Sequence, residues 1–228
     1  MIMPDKKQTV IALIPAYNEE TRITAVIKGT RQYLPVWVVD DGSVDQTARV
    51  ASQAGAEVIS YKPNRGKGAA LRVGFLKALE SGADAVITLD ADGQHDPEEI
   101  PQFLKTYTLK NPAMIIGARD FSKMPFTRKL ANTIGRKLLS WAAGQEIRDN
   151  QSGFRLIRRD LMEAMLESKE TGFEFEVEMV ITCLKQHWAL DWVPIRTIYA
   201  NQGSHIHPIR HIVNFFRITG KIWREMRH

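Results

Sequence analysis

The chain has one cysteine, no long apolar run and no linker-like stretch, and each of these limits what it can be. A single cysteine, Cys183, among 228 residues excludes an intramolecular disulfide and makes a reducing compartment the default. In Val180-Ile181-Thr182-Cys183-Leu184 it reads as a buried, inert thiol rather than a nucleophile. No apolar run approaches the roughly 18 residues that span a bilayer. Residues 1–8 carry no apolar segment behind their charges, so no signal peptide is expected. The expected location is the cytoplasm, either in solution or peripherally on the cytoplasmic face of a membrane. With no Pro-, Gly- or Ser-rich linker, internal repeat or low-complexity stretch, residues 1–228 read as one domain, and 44% hydrophobic content supplies one core. Charge is only mildly one-sided. Lys and Arg number 31 against 26 Asp and Glu, a net +5 that permits nucleotide, lipid or nucleic acid without choosing. Outside the tail the aromatics do not interleave with basic residues, so a nucleic-acid partner is not expected.

What is present is an alternation of apolar runs and helical patterns through the first half. Strands are expected at 10–14, 36–39, 57–61, 85–89 and 113–117, and helices at 20–33, 45–54, 67–81 and 97–108. Such alternation predicts an α/β fold with a mostly parallel central sheet and helices on both faces. Further on, the pattern predicts helices at 127–143 and 175–186 and a strand at 190–199. In these sheets ligands bind beyond the carboxyl ends of the strands. There the chain places Pro15-Ala16-Tyr17-Asn18-Glu19, Asp40-Asp41-Gly42-Ser43, Asp90-Ala91-Asp92-Gly93-Gln94 and Ala118-Arg119, so polar residues converge on one edge from four segments.

Asp90 and Asp92 stand one residue apart at the end of a strand, followed by a glycine and an amide. Carboxylate and amide oxygens are hard ligands suited to Mg²⁺ or Mn²⁺, which commonly share their coordination with substrate phosphates. This pair therefore predicts chemistry on a phosphorylated substrate. Asp96 reads differently: before Pro97, Glu98 and Glu99 it fits a helix cap. Asn18 before Glu19 and Glu20 would likewise cap a helix, and His95 reads as structural or as a support behind the ligands. Arg65 and Lys67 flank Gly66 in a short glycine loop, open to two readings: direct contact with a phosphate or a plain loop-to-helix turn.

Ile14-Pro15-Ala16-Tyr17-Asn18-Glu19-Glu20, Val39-Asp40-Asp41-Gly42-Ser43, Asn64-Arg65-Gly66-Lys67-Gly68, Asp90-Ala91-Asp92-Gly93-Gln94-His95 and Asp149-Asn150-Gln151-Ser152-Gly153-Phe154 together resemble a family 2 glycosyltransferase. The branch they resemble is that of the dolichol-phosphate mannose synthases and polyprenyl-phosphate glycosyltransferases. The resemblance implies a GT-A fold, an inverting mechanism and a nucleotide-sugar donor, with residues 1–120 as the donor half and 121–228 as the acceptor half. It further implies that Pro15, Tyr17, Glu19, Asp41, Lys67, Asp90, Ala91 and Asp92 bind the donor. Asp90, Asp92 and Gln94 would hold the metal, with Asp92 counted among the catalytic residues.

The acceptor decides whether a base is needed. A hydroxyl must lose a proton, whereas a phosphate is already ionised at neutral pH and needs only cations to position it. Arg119 and Arg128 match positions that hold an acceptor phosphate in the lipid-phosphate branch, and Asn132 and Ser204 match polar acceptor positions. Asp149 would be the base toward a hydroxyl of a glycan or lipid and an organiser toward a phosphate. The chain departs from the branch at Asn201-Gln202-Gly203-Ser204-His205, where Arg and Lys are expected. A nucleotidyltransferase also uses an α/β sheet with metal-bound aspartates, but its glycine-rich basic signature near the N-terminus is missing. From Ile209 onward, apolar residues at helical spacing alternate with Arg210, Arg217, Lys221, Arg224 and Arg227. This basic amphipathic helix either lies on anionic lipid or docks on its own domain.

Overall fold

Along the first strand, Val10, Ala12, Ile14 and Ala16 face one core while Ile11 and Leu13 face another. A strand's period of two dictates this split, and a sheet covered on both faces uses both halves of it. The computed structural model describes residues 8–119, 140, 146–149, 152–172, 174–196 and 198. Their elements run β1 (Val10–Ala16), α1 (Ile23–Thr30), β2 (Val36–Asp40), α2 (Thr47–Gln53), β3 (Glu57–Ser60), α3 (Lys67–Glu80) and β4 (Ala85–Thr88). A 3₁₀ turn (Pro97–Glu99), α4 (Ile100–Lys110), β5 (Met114–Arg119), β6 (Arg155–Arg158), α5 (Arg159–Met165), α6 (Glu174–Lys185) and β7 (Leu190–Ile195) follow.

The seven strands form one sheet in the order β3-β2-β1-β4-β6-β5-β7. Pairings among β1 to β4 are parallel, as is that of β5 with β7, while β6 runs antiparallel to both β4 and β5. Below the sheet, α3, α5 and α6 bury Leu71, Phe75, Met162, Phe175 and Val180 against Leu13, Val86 and Ile157. Above it, α1 and α4 bury Ile23, Ile27, Phe103 and Tyr107 against Ile14, Ile87 and Leu156.

The helices at 20–33, 45–54, 67–81 and 175–186 and the five early strands exist within a few residues of expectation. The segment expected as one helix over 97–108 begins as the 3₁₀ turn, and Asp96 caps it by accepting from the Glu98 amide at 3.0 Å. Two elements, β6 and α5, went unanticipated. Arg155-Leu156-Ile157-Arg158 is too short and too charged to announce a central strand, yet it inserts between β4 and β5. The last strand stops at Ile195 rather than 199; Pro194 is tolerated because β7 is an edge strand. Pro15 survives inside β1 because the β1–β4 ladder has already ended at Leu13 and Thr88. Among the described residues no helix is long and apolar enough to cross a membrane. The expected helix at 127–143, apart from Ser140, and the basic tail lie outside the described residues, as do Arg128, Asn132, Ser204 and His205.

Candidate active site

The loops after β1 and β2 are laced together. Asn18 adopts a left-handed φ of 56°, which asparagine tolerates better than most residues. Its side-chain oxygen accepts from the Val44 amide at 2.9 Å, and its own amide donates to Ser43 Oγ at 2.9 Å. The Glu19 amide donates to Thr47 Oγ1 at 2.7 Å. Asn18 is therefore not a helix cap: α1 starts at Ile23, with no side-chain cap bond, because Asn18 is committed to the second loop. Pro15 is buried in β1, and Tyr17 stands 46% exposed just beyond it.

Buried Asp41 organises the loop before α3. Its two carboxylate oxygens accept from the Arg65 and Gly66 amides, each at 2.8 Å. Gly66 has φ +94°, and a Cβ there would lie 2.5 Å from the Thr171 carbonyl oxygen. The Arg65 guanidinium lies over the Tyr61 ring, 4.9 Å from its centroid. The loop runs straight into α3, and its glycines admit the segment at Thr171 and Phe175. Lys67 points elsewhere: its Nζ lies 2.5 Å from Asp90 Oδ1 and 3.1 Å from Glu176 Oε1 on α6.

Asp90 is thus held by protein cations and dipoles. Burial alone would push its carboxyl up, but Lys67 overrides that and holds it below the ordinary carboxylate range. Burial likewise pulls Lys67 down, and Asp90 with Glu176 more than restores it, so the ammonium persists. The Asp90 amide donates to His95 Nδ1 at 3.1 Å, which leaves the ring proton on Nε2, 3.7 Å from Asp90 Oδ2. His95 is buried with its ring 5.3 Å from that of Phe154, and burial lowers its basicity, so a neutral ring stands against Asp90.

Asp92 takes a different environment. Its Oδ1 accepts from the Gln94 amide at 3.0 Å and its Oδ2 from the Gln94 side-chain nitrogen at 2.8 Å, across Gly93 at φ +78°. Glu19 adds negative charge nearby. Burial raises the Glu19 carboxyl, Arg22 at 2.7 Å pulls it down, and Asp92 pushes it up again. The edge around Asp92 is therefore electronegative, a setting for a cation. Among the described residues no cluster of three or more His, Cys, Asp or Glu could by itself cage a metal. One or two carboxylates plus substrate phosphates is the donor set Mg²⁺ and Mn²⁺ commonly accept, so these residues fit such an ion.

On the far side of β4, Asp149 is almost fully buried, with 1% exposure. Arg119, ending β5, grips it with a fork: Nε to Oδ2 at 2.7 Å and Nη2 to Oδ1 at 3.0 Å. Beside it, Thr88 Oγ1 donates to the Gly153 carbonyl at 2.7 Å. A Cβ on Gly153 would fall 2.5 Å from Asp90 Oδ2 and 2.8 Å from Lys67 Nζ.

The structure thus brings Pro15, Tyr17, Glu19, Asp41, Lys67, Asp90, Ala91, Asp92, Gln94, Arg119 and Asp149 to the carboxyl-terminal edge of β1, β2, β4 and β5. Three participants escaped the sequence. Glu176 shares a helical stripe with Met179, Val180 and Cys183, and an acid on an apolar stripe was the signal that could have found it. Arg155, fully buried, donates to the Ser152 and Glu176 carbonyls. Arg196, after β7, pairs with Asp96 at 3.1 Å, Glu98 at 3.2 Å and Glu99 at 2.9 Å, while the Ile198 amide donates to the Gln94 carbonyl at 3.1 Å.

A mostly parallel α/β sheet that gathers paired aspartates and basic residues at its carboxyl edge has the layout of an α/β enzyme with its ligand site at that edge. The chain belongs to glycosyl transferase family 2, whose model matches residues 11–166. Among its relatives, UDP-N-acetylglucosamine–dolichyl-phosphate N-acetylglucosaminyltransferase of Methanococcus voltae is 30% identical, with 86% of this chain and 88% of the relative covered. Undecaprenyl-phosphate mannosyltransferase of Micrococcus luteus is also 30% identical, covering 86% of each. Glucosyl-3-phosphoglycerate synthase of Mycobacterium tuberculosis, solved with Mn²⁺, UDP and glucosyl-3-phosphoglycerate, superposes with a TM-score of 0.71 at 20% identity. That alignment covers 92% of this chain and 77% of the other. The fold is accordingly of GT-A type.

Proposed function

We propose that this glycosyltransferase moves a hexose from a nucleotide sugar, of UDP-glucose or GDP-mannose type, to a polyprenyl phosphate, with inversion at the anomeric carbon. The observation that carries the reading is the Arg119 fork on Asp149. Both oxygens of that buried carboxylate are engaged by one guanidinium, which suits an organiser of the acceptor site better than a base for a hydroxyl. An acceptor that arrives ionised needs no base. The names of the Methanococcus voltae and Micrococcus luteus relatives, both polyprenyl-phosphate transferases, support the same acceptor class.

In this reading Pro15, Tyr17, Glu19 and Asp41 form the nucleotide side of the donor site, and Lys67, Asp90, Ala91 and Asp92 its diphosphate side. Asp90, Asp92 and the Gln94 amide oxygen would hold Mg²⁺ or Mn²⁺, which when bound neutralises charge developing on the departing diphosphate. A phosphate oxygen of the acceptor forms the new bond to the anomeric carbon as the bond to the nucleoside diphosphate breaks. Arg119 lies at the acceptor side of the edge, and Arg128, Asn132 and Ser204 are assigned to the same acceptor. Peripheral contact of the basic tail with anionic lipid would bring the enzyme to its substrate.

The test is thermal stabilisation by UDP and by GDP, each with Mn²⁺ and with EDTA, in wild type and Asp92→Asn. Nucleotide at about a hundred times its dissociation constant should stabilise by roughly 2.7 kcal/mol, only with metal and only in wild type. Transfer is then assayed with the matching sugar nucleotide on polyprenyl phosphate and on the free polyprenol. Product from the phosphate alone supports the reading; product from the alcohol alone would replace it with hydroxyl transfer.

A further inference from the structure

Glu176 has no place in the scheme above, yet it is the residue hardest to explain as packing. It lies 3% exposed on the buried stripe of α6, where an unpaired carboxylate would be strongly unfavourable. Its carboxylate reaches Lys67 Nζ at 3.1 Å, and the same ammonium meets Asp90 Oδ1 at 2.5 Å. Two carboxylates, one just after β4 and one in the first turn of α6, therefore grip one cation.

The surroundings keep this grip in place. The Gly68 amide donates to the Thr171 carbonyl at 2.8 Å, and a Cβ on Gly68 would fall 2.7 Å from Phe175 Cβ. The start of α3 is thereby seated against the start of α6. Arg155 fastens the backbone of Glu176 from beneath by donating to its carbonyl. Gly153 lets its own backbone close over the Asp90–Lys67 contact.

We propose that Glu176 is a positioning residue of the donor site, holding the Lys67 ammonium on Asp90 so that this carboxylate is oriented before the metal–diphosphate arrives. The inference rests on the donor reading given above. A lysine has a long flexible stem and a compact charge, so with one carboxylate partner instead of two it is free to leave Asp90. Asp90 would then lose its fixed orientation at the carboxyl edge of β4.

The experiment is titration of UDP and GDP in the presence of Mn²⁺ by calorimetry, on wild type, Glu176→Gln, Lys67→Met and the double variant, with melting temperature recorded for each. The expected result is a loss of nucleotide affinity of about tenfold in each single variant and no further loss in the double, the signature of coupled residues. Glu176→Asp, which keeps the charge but shortens the reach, should lose less than Glu176→Gln. Wild-type affinity in Glu176→Gln, or losses that add in the double variant, would overturn the inference. A merely structural Glu176 would lower the melting temperature and leave affinity intact. Should Glu176→Gln fail to fold, Glu176→Asp carries the test, and wild-type affinity there is equally fatal. If wild type itself binds neither nucleotide with Mn²⁺, the donor reading fails and takes the inference with it. Binding by wild type with unchanged variants sinks the inference alone.

Discussion

Cys183 shows how an environment silences a reactive group. It is fully buried on α6, and burial pushes its thiol up to about 12. At pH 8 the thiolate is then a trace species, and the thiolate is the form that reacts. Native protein should therefore stay unlabelled by iodoacetamide at pH 8, and label fully once unfolded in guanidinium; rapid native labelling would contradict the burial. Asp149 poses the opposite question, since its carboxylate is engaged. Asp149→Asn removes the charge that Arg119 grips, so acceptor KM should rise while nucleotide affinity is retained. A collapse of turnover with acceptor KM unchanged would mean that the carboxylate acts as a base after all. Gly66 is a third case, where the backbone leaves no choice. At φ +94°, with a carbonyl oxygen 2.5 Å from any added Cβ, Gly66→Ala should cost about 1–3 kcal/mol, measurable by urea denaturation.

At the scale of elements, helix starts and strand ends are fastened to one another rather than left as free loops. The clearest case is the stretch after β7. Arg196 spans Asp96, Glu98 and Glu99, and the Ile198 amide reaches Gln94, so the loop bearing Asp92 is tied to an edge strand. Arg196 is largely exposed, and such pairs add little to global stability. Glu99, however, is 4% exposed and loses its cation, so Arg196→Ala should lower the melting temperature and raise amide exchange over residues 93–99. Unchanged exchange there would show that the loop stands without the tie. The elements missed by the sequence, β6 and α5, share one physical cause. Two apolar residues between two arginines carry too weak a pattern to declare a strand, and only pairing with β4 and β5 makes Arg155–Arg158 one.

For the molecule as a whole, the sheet is the common wall of two cores. Leu13 is fully buried on the face covered by α3, and its methyls fill the space a side chain at Gly74 would need, 2.5 Å from such a Cβ. Leu13→Ala should cost about 2–5 kcal/mol. Because Trp37, Trp188 and Trp192 pack against that same core, tryptophan fluorescence and far-ultraviolet circular dichroism should report the loss at one shared midpoint. Separate midpoints would mean that the two cores melt independently. Whatever depends on near neighbours is legible in the chain alone: the strand and helix alternation, the Asp96 cap, the buried thiol, and the polar segments that end four of the strands. These follow from periodicity and local hydrogen bonding, which act over a few residues. Which charges meet is settled by folding. Lys67 meets Asp90 and Glu176, Asn18 serves Val44 rather than α1, and Arg119 closes on Asp149. The Lys67–Glu176 pair is 109 residues apart in the chain, and no local pattern encodes a partner that only folding brings within 3.1 Å.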